Sequence, residues 1–171
     1  MSLATAYQHP ILRFAISGTL ITLYGVADHV ARRAGGDPLR ARIRQPRWLG
    51  VLIVVCVLGF YVTIRPFGGP VLGGLGNLAG LALAFVAMGL RLAQRPGLPR
   101  VRQGDVAARV LFYLALPIAA GVPSGLLTLT LPAAITSAWW CVREDRLLTA
   151  EWGEVWRDRM AHTQRWMPGV W

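Results

Sequence analysis

Residues 48–64 read WLGVLIVVCVLGFYVTI, an uninterrupted apolar run without a charged side chain. The hydrocarbon core of a bilayer is about 30 Å thick, and a helix that rises about 1.5 Å per residue crosses it with about 20 apolar residues. Two further apolar runs, 11–27 and 71–92, lie on either side of the first. The three runs predict three transmembrane helices before residue 95.

A fourth apolar region, 106–142, is too long for a single crossing. It is interrupted at 121–125 by Gly-Val-Pro-Ser-Gly, a sequence typical of a turn. We therefore predict a helical hairpin with arms at 106–122 and 124–142. Pro117 and Pro132 are expected to kink these arms and to leave backbone carbonyls that need partners inside the bundle.

These runs predict an all-α polytopic membrane protein, a single domain over residues 1–171. Five transmembrane helices are followed by a cytosolic amphipathic C-terminal helix over 143–163. The composition agrees, because 54% of the residues are hydrophobic. A net charge of +10 would suggest nucleic acid in a soluble protein, but here the basic residues lie in short segments between apolar runs. We expect the lipid bilayer as the partner, and no nucleic acid.

All 18 basic residues are Arg, and most lie in the segments 28–47 and 91–109 and in the tail from 143 onward. Five crossings put these three segments on one side of the membrane, so the positive-inside rule predicts an external N-terminus and a cytoplasmic C-terminus. The absence of Lys is typical of a high-GC bacterial genome, and we expect a multi-pass bacterial inner-membrane protein. Three indoles are then expected at the cytoplasmic interface: Trp48, Trp139 and Trp140.

Some polar and small residues within the apolar runs also predict specific contacts. Gly76 and Gly80 are spaced so that a second helix can approach closely. Asn77 either hydrogen-bonds across helices or lines a substrate cavity. His29 beside Asp28 is a candidate ligand or proton relay, but a solvated helix end is expected there. Cys56 and Cys141 form neither a disulfide framework nor a metal motif, so no metal site is predicted.

The tail carries five of the eight acidic residues. Helical spacing gives it one apolar stripe, formed by Leu148, Trp152, Val155 and Trp156. Glu144 and Glu151 have no basic residue three or four positions away. Near a membrane surface such carboxylates are expected to seek a cation elsewhere. An Arg of the 91–109 segment and the ammonium group of a ligand both remain open.

The same tail resembles the C-terminal signature of the isoprenylcysteine carboxyl methyltransferase and phospholipid methyltransferase group of membrane enzymes. Glu144 and Asp145 match the acidic pair of that signature, and the Trp152-Gly153 pair matches its aromatic-Gly element. The agreement continues without insertion over about 27 residues of the chain. Its other matching positions are Leu148, Trp156, Arg165, Met167, Pro168 and Gly169.

The resemblance implies a membrane-embedded methyltransferase that uses S-adenosylmethionine and acts on a lipophilic substrate, isoprenoid or lipid-like. By this analogy, Glu144 or Asp145 holds the ammonium end of the cofactor. The residues expected at the cofactor site are Glu144, Asp145, Arg102, Gln103, Glu151 and Arg165. The catalytic residue, the acceptor atom and the oligomeric state do not follow from the pattern.

The chain departs from the family just before the hairpin. Family members carry Arg-His-Pro-x-Tyr there, whereas this chain has Arg102, Gln103 and Gly104. Gln103 can still donate a hydrogen bond, and Gly104 allows close backbone approach. Two alternatives therefore stand beside methyl transfer. One is the same fold with a different reaction on an isoprenoid-like lipid, and the other is a non-enzymatic membrane subunit whose tail docks a partner.

Overall fold

The computed structural model describes residues 10–33, 46–67, 73–93 and 104–163, and these residues form helices with no strand among them. The predicted all-α class is therefore confirmed. Along the chain the helices are α1 (Pro10–Arg33), α2 (Arg47–Phe67), α3 (Gly73–Ala93), α4 (Gly104–Ala120), α5 (Leu131–Trp152) and α6 (Glu154–His162). A π-helical turn, Leu126–Thr130, leads directly into α5.

The tail differs from its prediction. Residues 143–152 continue the second arm of the hairpin as part of α5, so the separate tail helix over 143–163 is wrong. The helix ends at Gly153, whose φ of 53° and ψ of −120° are accessible to glycine but strained for other residues. Only the short α6 lies beyond that break within the described residues.

Contacts between helices show which ends lie together. Phe14, near the start of α1, stacks on Tyr61 of α2 with ring centroids 5.5 Å apart, so α1 and α2 are antiparallel. Asp28 near the end of α1 is ion-paired with Arg91 near the end of α3, so these two helices are parallel. We call the end of the bundle that holds Asp28, Arg91 and Arg109 the charged end. The end that holds residues 121–125 is the turn end.

Indoles mark the charged end as well. Trp48, at the start of α2, lies against Trp139 of α5 with ring centroids 5.2 Å apart. Arg143 places its guanidinium 5.2 Å from the centroid of the Trp139 ring, a cation–π contact. The ends of α1 and α3, the starts of α2 and α4 and the middle of α5 thus lie together, which is the pairing that the Arg distribution predicts.

The core lies between α1, α2, α3, α4 and the turn that precedes α5. Tyr24 of α1 stacks on Phe112 of α4 with centroids 4.2 Å apart and planes inclined by 18°. Phe60, Leu116 and Leu129 are fully buried around this pair. Aromatic and branched side chains thus hold the helices together from the middle of the bundle.

α3 and α4 approach most closely at Gly80, as the Gly76–Gly80 spacing predicts. A Cβ atom at this position would lie 2.7 Å from the backbone carbon of Ile118 and 2.8 Å from the Cα of Ala119. Such distances leave no room for any side chain unless one backbone shifts. Gly80 therefore sets the spacing of the two helices.

Pro117 interrupts the hydrogen bonding of α4, because a proline cannot donate to the carbonyl four residues earlier. That carbonyl belongs to Tyr113, and the hydroxyl of Thr130 donates to it at 2.6 Å. The expectation that a carbonyl freed by Pro117 finds a partner inside the bundle is confirmed. In the turn before Pro132, the N–H of Leu131 donates to the carbonyl of Leu126, five residues earlier.

Among the described residues, α1 over Ile11–Arg33 and α3 over Leu75–Ala93 are long and apolar enough to cross a bilayer. The apolar part of α2, Arg47–Val62, is shorter. Only 28% and 33% of the most apolar stretches of α1 and α3 are buried, whereas a core helix of a soluble protein is mostly buried. Large apolar side chains are exposed along these helices, among them Val26, Val54, Leu58, Leu78 and Phe85. Two of the five predicted crossings thus meet the length and composition criteria.

The close approach at Gly80 can be tested by substitution. Gly80→Ala is expected to lower the free energy of unfolding in detergent micelles by about 1–3 kcal/mol, because its methyl group forces α3 and α4 apart. Gly89→Ala is the control, since a Cβ at Gly89 meets nothing within 4 Å. The control is expected to be neutral or slightly stabilising, because Ala favours a helix over Gly by up to about 1 kcal/mol. Equal effects of the two substitutions would contradict the close approach.

Candidate functional site

The two acidic residues singled out from the sequence, Glu144 and Asp145, are both buried on α5. Their exposed fractions are 8% and 5%. Neighbours along a helix point about 100° apart, so burial of both means that a broad face of α5 is covered at this level. Leu148, one turn further on, is fully buried as well. The carboxylates thus lie in the second half of α5, beyond its apolar part, and inside the folded chain.

Of the other four predicted cofactor residues, the structure describes only Glu151. Glu151 is exposed, seven residues beyond Glu144 on the same helix. Arg102, Gln103 and Arg165 lie outside the described residues, and so do the matching positions at 167–169. Of the six residues expected at the cofactor site, the structure places Glu144 and Asp145 together and separates Glu151 from them.

α6 is held to the bundle by Trp156. This side chain is fully buried, and the guanidinium of Arg159 lies 5.5 Å from the centroid of its ring. Val155 is 61% exposed, so the predicted single apolar stripe from Leu148 to Trp156 is wrong at that position. The reason is the break at Gly153, which changes the helical phase between Trp152 and α6.

Three buried indole N–H groups lie on α5, which carries the acidic pair, and on the adjoining α6: those of Trp140, Trp152 and Trp156. Trp140, one turn before Glu144, is 2% exposed, and its N–H has no hydrogen-bond partner among the described residues. The N–H of Trp156 likewise has none there. Buried polar groups are normally hydrogen-bonded, so a buried N–H group without a protein partner is a candidate donor to a ligand. Carboxylates and N–H donors together match a ligand that carries both positive and negative charge.

A second polar cluster lies between α1, α3 and α4. One carboxylate oxygen of Asp28 accepts a hydrogen bond from Nε of Arg91 at 2.7 Å, and the other accepts from Nε of Arg32 at 2.7 Å. The side chains of Asp28 and Arg91 are 17% and 10% exposed, whereas that of Arg32 is 64% exposed. The expected solvated helix end is therefore wrong for Asp28. The spacing of four residues to Arg32 was visible in the sequence, but the partner 63 residues away was not.

Arg109 of α4 completes the second cluster. It lies close enough to Asp105, Tyr113, Tyr24 and Asp28 to interact with them electrostatically. The hydroxyl of Tyr24 is buried and has no hydrogen-bond partner among the described residues. Neither residue was singled out from the sequence, because an Arg and a Tyr at the edges of apolar runs carry no local signal.

Asn77 lines a cavity of about 50 Å³ at the turn end. Its side chain is 3% exposed, and the other lining residues are Pro117, Ile118, Gly121, Val122, Pro123 and Leu126. Asn77 thus lines a cavity, but the expectation of a substrate cavity is not confirmed. A volume of this size holds about one or two water molecules and no lipid or cofactor. The turn end is also separated from the charged end by the length of α4, about 25 Å for 17 residues.

No group of three or more metal-ligating side chains occurs in the part of the chain that the structure describes. No protein-family model matches the chain, and no curated protein matches it in sequence. The likeness to the methyltransferase group therefore rests on the tail motif, and the buried acidic pair is the structural feature that bears on it.

The ion pair between Asp28 and Arg91 should dominate the stability of the charged end. Asp28→Asn is expected to lower the free energy of unfolding by about 3 kcal/mol, because the buried guanidinium of Arg91 loses its carboxylate. Arg32→Gln removes the exposed partner of the same carboxylate and is expected to cost at most about 1 kcal/mol. Denaturant unfolding of both variants in detergent micelles measures the difference. Similar losses of unfolding free energy in the two variants would contradict a stabilising role for the buried Asp28–Arg91 pair.

Proposed function

We propose that α1 to α5 cross the membrane, with the N-terminus outside and the charged end in the cytoplasm. The length and apolar character of α1 and α3 support this, as do the apolar side chains exposed on α2 and α5. The basic segments adjoin the charged end, and the Trp48–Trp139 contact lies there as well. Arg-rich segments on the cytoplasmic side and indoles at the interface are the usual arrangement in membrane proteins.

We further propose that the protein transfers a methyl group from S-adenosylmethionine to a lipophilic acceptor, with the cofactor bound at the charged end against α5. The observation that carries this proposal is the burial of Glu144 and Asp145, the two residues that match the acidic pair of the methyltransferase signature. Buried carboxylates are stabilised by cations or by several donors. The α-ammonium group of the cofactor is such a cation.

The groups around the pair suit the rest of an amino-acid moiety. Glu144 or Asp145 would hold the ammonium, while the indole N–H groups of Trp140 and Trp156 are donors suited to a carboxylate. When bound, the cofactor supplies an electrophilic methyl on its sulfonium, so the protein needs to align the acceptor and to exclude water more than to move protons. α6, anchored by the buried Trp156, is placed to cover this region.

An interfacial position also suits substrates from two phases. S-adenosylmethionine is charged and reaches the charged end from the cytoplasm, whereas a lipophilic acceptor enters laterally from the bilayer between exposed apolar helices. The chain departs from the methyltransferase group at Gln103 and Gly104, and Gly104 is buried at the first residue of α4. This departure favours, as the second candidate, a related reaction on an isoprenoid-like lipid with the same fold.

Calorimetric titration of the purified full-length chain with S-adenosylmethionine tests the proposal. Glu144→Ala is expected to weaken binding by about 1.5–3 kcal/mol, the scale of a hydrogen bond to a charged group. Glu154→Ala is the matched control, because Glu154 is an exposed acid at the start of α6. It is expected to leave the affinity unchanged.

Three outcomes separate the alternatives. No detectable binding up to millimolar concentration contradicts a cofactor role. Binding that Glu144→Ala leaves unchanged in a folded variant contradicts the placement at α5. Binding with the expected losses, but without methyl transfer to added lipids, favours the second candidate.

A further inference from the structure

The cluster between α1, α3 and α4 carries more positive than negative charge. Three Arg residues, Arg32, Arg91 and Arg109, lie near two acids, Asp28 and Asp105. Arg32 and Arg91 share the carboxylate of Asp28, one on each oxygen. The Asp28 carboxylate is therefore shared by two guanidinium groups, and within this cluster the three Arg residues outnumber the two acids.

Arg109 is a half-buried cation of this network, and Asp105 lies one turn before it on the same helix. Its interaction with Asp105 is electrostatic, and none of the ion pairs among the described residues involves its guanidinium. A guanidinium inside a helical bundle is costly to bury without an acceptor. Its planar fork of donors fits an anion with at least two oxygens.

The Tyr24 hydroxyl is a second unmet donor in the same place. Tyr24 is 8% exposed, and its hydroxyl has no hydrogen-bond partner among the described residues. Its ring stacks on Phe112, three residues after Arg109 on α4. α1 and α4 are antiparallel, so Asp28, one turn after Tyr24, and Arg109, one turn before Phe112, lie toward the same end. The electrostatic interaction between Tyr24 and Arg109 agrees with this placement.

We infer that Arg109 and Tyr24 form a binding site for a phosphate group beside the Asp28–Arg91 ion pair. A phosphate oxygen accepts from the hydroxyl while two others face the guanidinium fork, so one tetrahedral anion satisfies both donors. The proposed topology puts the site at the cytoplasmic membrane surface, where phospholipid phosphates lie. The phosphate belongs to an anionic phospholipid or to a free phosphate. The inference does not depend on methyl transfer, because the site is formed by α1, α3 and α4 and not by Glu144 or Asp145.

Tyr24→Phe is the sharpest probe. It removes one oxygen that has no hydrogen-bond partner in the described part of the chain and keeps the ring stacked on Phe112. A purely structural role therefore predicts a protein of equal or greater stability and unchanged binding. A phosphate site predicts the same stability in the absence of ligand and an affinity reduced by about threefold to tenfold. Arg109→Gln should reduce the affinity by about tenfold to a hundredfold, because the charged hydrogen bonds are lost. Arg32→Gln, at an exposed cation of the same network, should stay within about twofold.

Two measurements on the full-length protein distinguish the sources. Native mass spectrometry from mixed phosphatidylcholine and phosphatidylglycerol micelles reports retained lipid, and calorimetric titration with inorganic phosphate reports the free anion. Retention of phosphatidylglycerol with the expected order of losses identifies a lipid phosphate. Phosphate binding with that order, without retained lipid, identifies a free phosphate. The inference is wrong if neither ligand binds, or if Tyr24→Phe binds as the parent protein does. The comparison of Tyr24→Phe with the parent protein tests the inference even if Arg109→Gln does not fold.

Discussion

The bundle depends on one ion pair, between Asp28 on α1 and Arg91 on α3. In a low-dielectric environment a lone carboxylate or guanidinium is far more costly than a joined pair, so the two helix ends must lie at the same level and on the same side. Because α1 and α3 are parallel, the intervening α2 must run in the opposite direction. The stacking of Phe14 on Tyr61 shows that it does. The gathering of the basic ends at one end of the bundle follows from this constraint.

The proposed membrane crossing imposes a second condition, that each backbone polar group in the water-free bilayer core finds a partner within the protein. The hairpin meets it where Pro117 removes a helix hydrogen bond, because Thr130 donates to the carbonyl of Tyr113. These apolar, internally satisfied helices leave the charged end as the place for ligands. There the acidic pair of α5 suits an ammonium group, whereas Arg109 and Tyr24 suit an anion. The two candidate sites thus differ in the charge that they select.

The sequence predicted the helical class and the approximate position of every described helix up to residue 142, because long apolar runs and a Pro/Gly turn are strong local signals. It also singled out Gly80 for close packing and Pro117 for a carbonyl in need of a partner. The continuation of α5 to Trp152 was missed, since a change from apolar to charged residues at Arg143 resembles a helix boundary. The role of Asp28 was missed for another reason. Its partner is 63 residues away, and only the folded chain brings the two together.

The central claim is that the helix ends gathered around Asp28 and Arg91 face the cytoplasm and that the hairpin turn faces outward. Single cysteines in a background of Cys56→Ser and Cys141→Ala, reacted with a membrane-impermeant maleimide, test it most directly. Three exposed positions suit the probe: His29→Cys, Pro123→Cys and His162→Cys. We predict that Pro123→Cys reacts in intact cells, whereas His29→Cys and His162→Cys react only after the membrane is permeabilised. Labelling of His29→Cys in intact cells, or a Pro123→Cys that reacts only after permeabilisation, would contradict the account.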